Sequence, residues 1–108
     1  MPPTADCCMV LTNCATVEEG TTLAAALVEQ RLAAAVQIVG TTSFYTWKGE
    51  TVHAAEQMLL IKTSASRYLE VEAFIRTHHR YELPAVVRIP IEAGLDDYLQ
   101  WIDASTRP

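Results

Sequence analysis

Ser43-Phe-Tyr-Thr-Trp-Lys-Gly-Glu-Thr-Val-His-Ala-Ala-Glu-Gln-Met-Leu-Leu-Ile-Lys-Thr63 reads as two strands folded about Lys48-Gly49. Thr, Phe, Tyr and Trp crowd the first strand, and Val52, Met58, Leu60 and Ile61 fill the second; these are residue types that suit a pleated, half-buried surface. The flanks extend the pattern from Ala35 to Thr63, giving arms of about thirteen residues, or about 43 Å at ~3.3 Å per residue. A compact domain of this length is only about 34 Å across. The hairpin is therefore expected to outreach the domain that carries it. Its apolar tip needs cover from another subunit.

Working outward, Cys7 to Asn13 reads as a first strand, and Thr16-Val-Glu-Glu19 has the capping-box pattern that starts a helix. Leu23, Leu27, Val28 and Leu32 supply an apolar stripe at helical spacing. Gly40 predicts a bulge or bend in the first arm of the hairpin. Along the second arm, Val52, Ala54, Glu56, Met58, Leu60 and Lys62 share one face, and His53, Ala55, Gln57, Leu59 and Ile61 the other. Both faces are apolar beyond Gln57, which predicts burial on both sides. Ser66 is expected to cap a second helix running to about Thr77, with Tyr68, Val71, Phe74, Ile75 and His78 on its inner side. Ala85 to Ile89 reads as the last strand, ended by Pro90. After a turn at Gly94, Tyr98, Trp101 and Ile102 mark a short amphipathic closing helix. The order predicts an α+β fold, a ferredoxin-like split βαβ with a long protruding β-hairpin and a short C-terminal helix. Two helices lie on one sheet face and the other is left open, which again predicts association.

The length of 108 residues implies one domain over 1–108, with residues 1–6 as a flexible N-terminus. Half the residues are hydrophobic, enough for a sizeable core. The net charge of −5 and the scattering of the eight Lys and Arg argue against nucleic acid. No apolar run approaches the ~20 residues that span a bilayer. The start, Met-Pro-Pro-Thr-Ala-Asp, has neither the basic head nor the apolar middle of a signal peptide, so the cytoplasm is the expected location. Cys7, Cys8 and Cys14 read as small buried thiols, with Cys14 also a candidate soft-metal ligand.

Several segments follow one another in a particular order: Leu32-Ala-Ala-Ala-Val36, Ser43-Phe-Tyr-Thr-Trp-Lys-Gly49, Glu56, Lys62-Thr63, His78-His79-Arg80-Tyr81, Pro84, Pro90-Ile91 and Tyr98-Leu-Gln-Trp-Ile102. Together they resemble the CutA family of divalent-cation tolerance proteins, over roughly residues 8 to 104. The resemblance implies the same fold, a homotrimer with sheets packed around a threefold axis, and no catalytic activity.

His78 and His79 are the candidate metal pair, since neutral imidazole suits copper(II), zinc(II) and nickel(II). The plainer alternative is that one ring satisfies carbonyls at the helix end and the other is solvated. In similar bacterial proteins copper binding is attributed to this His-His pair and a cysteine at the end of the first strand. Thr12 stands at that cysteine's position, and Cys14 would face the same side if the strand persists. Ala35, Arg80 and Ala85 also depart from the family's motifs; a lost carboxylate and a gained cation both weaken a cation site. A copper or other divalent ion, weakly bound, is the implied cofactor. Glu56 and Lys62, with Trp47 and Tyr81, are candidates for a polar pocket between subunits, or for a buried ion pair at an interface. Two further functions remain open. One is a signalling module binding a small anion or nucleotide at subunit clefts, by analogy with the PII family. The other is a non-catalytic anchoring protein for a partner.

Overall fold

The computed structural model describes residues 5–108. The elements run β1 (Cys7–Cys14), α1 (Val17–Glu29), β2 (Ala35–Trp47), β3 (Glu50–Ser64), a 3-10 turn (Ala65–Arg67), α2 (Tyr68–His78), β4 (Val87–Ile91) and α3 (Asp96–Ser105). The four strands form an antiparallel sheet in the order β2-β3-β1-β4. This is the ferredoxin-like arrangement.

The hairpin turns on two residues in the left-handed region, Lys48 at φ 50° and Gly49 at φ 81°. Positive φ at both central positions matches the right-handed twist of the flanking strands. Its arms have 13 and 15 residues, and the molecule measures 52 × 25 × 21 Å. The long dimension is the protruding hairpin. Gly40 makes no bulge: it pairs in register with Gln57, between Val39–Met58 and Thr41–Glu56.

Alternation along β1 and β3 assigns the two faces. Cys8, Val10, Cys14, Leu59 and Ile61 lie beneath α1 and α2 in one cluster with Leu23, Leu27, Val71 and Ile75. Thr16 Oγ1 accepts from Glu19 N at 3.1 Å, so the expected N-cap of α1 is present. Val28 departs from the stripe and is 44% exposed, because one residue beyond Leu27 turns it about 100° off the inner side. Ser66 does not cap α2. It sits inside the 3-10 turn, and Arg67 occupies the N-cap position without a side-chain capping bond.

The opposite face carries Met9, Leu11, Met58 and Leu60, only half-buried, so burial on both sides does not occur within the chain. That face is not wholly open. α3 closes one end of it, burying Leu99 and Ile102 against Cys7, with Ala5 and Ile91 packed alongside. Of the three residues that mark this amphipathic helix, Ile102 is buried, while Tyr98 and Trp101 stack on each other at 5.6 Å and remain partly exposed. Pro90 lies inside β4, paired with Cys8, rather than ending it. β4 is an edge strand, where a missing N–H can point away from the ladder. Of the segment 1–6, residues 1–4 lie outside the described residues. Asp6 is tied down, its carbonyl accepting from Ala65 N at 2.9 Å.

Candidate functional site

β4 reaches only to the register position opposite Leu11, so β1 runs on through Asn13 and Cys14 without a neighbour on that side. The end of α2 fills the gap. His79 is the C-cap of α2, with extended backbone, and its N–H donates to Ile75 O. Its ring donates from Nε2 to the Asn13 carbonyl at 2.6 Å, while Nδ1 accepts from the Tyr81 N–H at 3.0 Å. The two bonds together assign a neutral ring with its proton on Nε2.

The same Nε2 lies 3.9 Å from Cys14 Sγ. Both residues line a cavity of about 260 Å3 between α1 and the end of α2, with Glu18, Glu19, His78 and Arg80 around it and Leu23 and Phe74 as apolar walls. β1 persists to Cys14, so its thiol shares the helix-side face with Thr12. Thr12 is 1% exposed, and its Oγ1 has no partner among the described residues. It does not line the cavity. Cys14 is the sulfur that does.

Burial pushes the Cys14 thiol above its ordinary range, and the carboxylates of Glu19 and Glu56 add to the effect. His78 is exposed and stacks on Phe74 at 4.1 Å; its Nδ1 donates to Phe74 O at 2.9 Å, which leaves Nε2 for other partners. Arg80 is turned towards Glu19, at 3.7 Å, so its charge has a counter-ion beside the cavity.

Metal bonds of about 2.3 Å to sulfur and 2.0–2.1 Å to imidazole span a 3.9 Å Sγ–Nε2 separation at a bond angle near 125°. The soft-and-borderline donor set therefore fits an ion such as copper or zinc. It fits weakly: the thiol is held protonated, Nε2 is occupied by Asn13, and no ready group of three or more His, Cys, Asp or Glu stands together among the described residues.

The second candidate pocket is not assembled within one chain. Glu56 is 4% exposed on the other sheet face and accepts from the Tyr81 phenol at 2.6 Å. Lys62 donates to the Tyr98 phenol at 3.2 Å, its ammonium 5.3 Å from that ring's centre. Trp47 lies beside the turn of the hairpin, with Lys48 over its ring. Tyr81 thus joins the two candidate sites, and Tyr98 joins Lys62, neither of which spacing along the chain foretold. Glu18 and Glu19 were also missed as cavity residues. The capping pattern signalled one role for Glu19, while its second, facing Arg80, arises only when α2 ends beside α1.

A family model for the CutA1 divalent ion tolerance protein matches residues 8–105. The chain belongs to the CutA1 family. It is 40% identical over 99 residues to the divalent-cation tolerance protein CutA of Thermus thermophilus, covering 91% of this chain and 96% of that one. A chloroplastic CutA protein of Arabidopsis thaliana is also 40% identical, over 83% of this chain and 50% of its own length. Among solved structures, the periplasmic divalent cation tolerance protein CutA from Archaeoglobus fulgidus superposes with a TM-score of 0.91 at 33% identity, covering 94% of this chain and 99% of that one. CutA1 from Oryza sativa gives 0.92 at 35%, with 96% of each chain covered. CutA1-family membership accounts for the fold, the long hairpin and the order of the motifs. Among the described residues no helix is long and apolar enough to cross a membrane.

Proposed function

We propose that this CutA1-family chain is a non-catalytic, homotrimeric tolerance protein of the cytoplasm that binds a divalent cation, copper(II) foremost, weakly at each Cys14–His79 cavity. The observation that carries the metal reading is the 3.9 Å approach of Cys14 Sγ to His79 Nε2 inside a cavity that His78 also lines. Copper(II) heads the order of affinity for nitrogen ligands. His78 lines the same cavity, and its Nε2 is not used by the bond to Phe74 O. Association is supported by the half-buried sheet face, where Val39, Tyr45, Val87 and Ile89 are each at least 41% exposed. The number three comes from the family resemblance. The cytoplasm suits three free cysteines, two of them adjacent.

The test is calorimetric titration with copper(II), and with zinc(II) in parallel because it does not oxidise thiols. His79→Ala is expected to abolish binding, and Cys14→Ser and His78→Ala each to weaken it. Unchanged binding in His79→Ala would remove the site. A second reading rests on Lys62, whose ammonium is held by a phenol and has no carboxylate within ion-pair distance among the described residues. A cation so placed on an association face supports an anion or nucleotide site completed by another copy. Titration with ATP and inorganic phosphate, against Lys62→Ala, tests it.

A further inference from the structure

The hydrogen bonds about His79 do not end at the cavity. Tyr81 presents its N–H to His79 Nδ1 at 3.0 Å and its phenol to Glu56 Oε2 at 2.6 Å. Cys14 is paired with Gln57, so these two share the helix-side face, and Glu56, one residue along, belongs to the opposite face. Tyr81 therefore passes round the end of β1 and ties the cavity to the half-open sheet face. Glu56 is 4% exposed, so its carboxylate depends on that phenol.

We infer that Tyr81 is a positioning residue that selects which nitrogen of His79 can ligate, and couples occupancy of the cavity to the state of the Glu56 face. The inference rests on the metal reading above. His79 can ligate through Nε2, the atom facing Cys14, only after the proton now on Nε2 leaves it. In a ring that stays neutral that proton moves to Nδ1. An Nδ1–H cannot accept from the Tyr81 N–H; the two donors oppose each other. The Tyr81 backbone must then withdraw, and the phenol's bond to Glu56 is strained or broken with it. Balance is simple: Cys14 gives its thiol proton to solvent, His79 keeps one proton at a new position, and one proton is released per ion. Coupling of this kind is reciprocal. Whatever holds Glu56 and Tyr81 in place, a second copy included, weakens ligation in the cavity.

The experiment uses zinc(II), which is diamagnetic, on uniformly 15N-labelled protein. Long-range 15N–1H spectra read the His79 tautomer, and the amide spectrum reads Tyr81. Without metal the proton is expected on Nε2; with saturating zinc it is expected on Nδ1, with a large shift of the Tyr81 amide. Movement of Cys14 and His79 signals with the Tyr81 amide unmoved would overturn the coupling and leave the metal reading intact. No movement at Cys14 or His79 up to millimolar zinc would overturn both. Tyr81→Phe provides an independent reading. It keeps the N–H and removes the anchor on Glu56, so zinc is expected to bind roughly tenfold more tightly, the size of one hydrogen bond to a charged group. Equal affinity in a Tyr81→Phe protein whose amide spectrum shows it folded would count against the inference.

Discussion

Leu59 and Gly20 offer a sharp test of how α1, which carries Glu18 and Glu19 to the cavity, is seated on the sheet. Leu59 is fully buried, and a Cβ at Gly20 would sit 3.3 Å from its Cδ1, with Gln57 Cβ and Ile38 Cδ1 at 3.8 Å. Two effects oppose each other in Gly20→Ala. Removing a helical glycine gains up to about 1 kcal/mol. The new methyl must displace a side chain in a close-packed core, which costs about as much. The substitution alone is therefore expected to change stability by less than about 0.5 kcal/mol. Leu59→Ala removes three buried carbons and should cost about 3–4 kcal/mol, a large share of a typical domain's 5–15. In the Leu59→Ala background the obstruction is gone and the vacated space lies beside Gly20. There Gly20→Ala should recover about 1 kcal/mol. The cycle thus has a coupling near 1 kcal/mol, where independent sites add within about 0.3–0.5. Urea midpoints of the four proteins, all at one subunit concentration so that the proposed association weighs equally on each, give the four numbers. Additive effects would refute the packing argument, as would a full 1 kcal/mol gain from Gly20→Ala alone.

Other outcomes follow from the same contacts. Leu60→Asp places a charge at the centre of the half-buried sheet face, opposite Gln37 and Leu11; light scattering should fall from about three subunit masses to the 11.9 kDa monomer, and an unchanged mass would mean that association uses another surface. Burial raises the thiols of Cys7, Cys8 and Cys14 above their usual range, and burial followed by the bond to Glu56 raises the Tyr81 phenol. In each case the folded state holds a proton that the unfolded state loses first, so stability is complete below about pH 8.5 and falls as pH rises through the folded values. Urea midpoints at pH 7.5 and pH 10 should differ accordingly, and a flat profile would contradict the burial. Gly49→Val puts a β-branched residue at φ 81° with open space around it; it should lower stability by about 1–2 kcal/mol through backbone strain alone, whereas an unaltered midpoint would mean the turn relaxes freely.

The order of strands and helices, the Lys48-Gly49 turn and the cap at Thr16 were legible in the chain because each depends on neighbours within a few residues. The hairpin's reach followed from counting. Pro90 misled because the missing N–H forbids a central strand but not an edge one, and edge position belongs to the sheet as a whole. Ser66 misled because a 3-10 turn shifted the start of α2 past it. The closing helix was legible from Tyr98, Trp101 and Ile102, but of these only Ile102 is buried, with Leu99 beside it against Cys7.

At the candidate site the division is clearer still. Residue types alone nominated His78, His79 and Cys14, because imidazole and thiol are what a borderline or soft cation binds. Which of them meet was decided in three dimensions. Cys14 and His79 are 65 residues apart, and they approach only because β4 stops short and leaves the Asn13 carbonyl for the end of α2. The same shortfall lets Tyr81 round the sheet's end to reach Glu56, and it assigns the His79 proton through two backbone groups no motif names. Counting along the strand already puts Glu56 and Lys62 about 20 Å apart, too far to pair; the tertiary structure decided which phenol each meets, Tyr81 for Glu56 and Tyr98 for Lys62. The sequence by itself determined the periodicities, the turn chemistry and the inventory of donors, all properties of short stretches of chain. The tertiary structure decided face, edge and hydrogen-bond partner, because those depend on where the chain returns to meet itself.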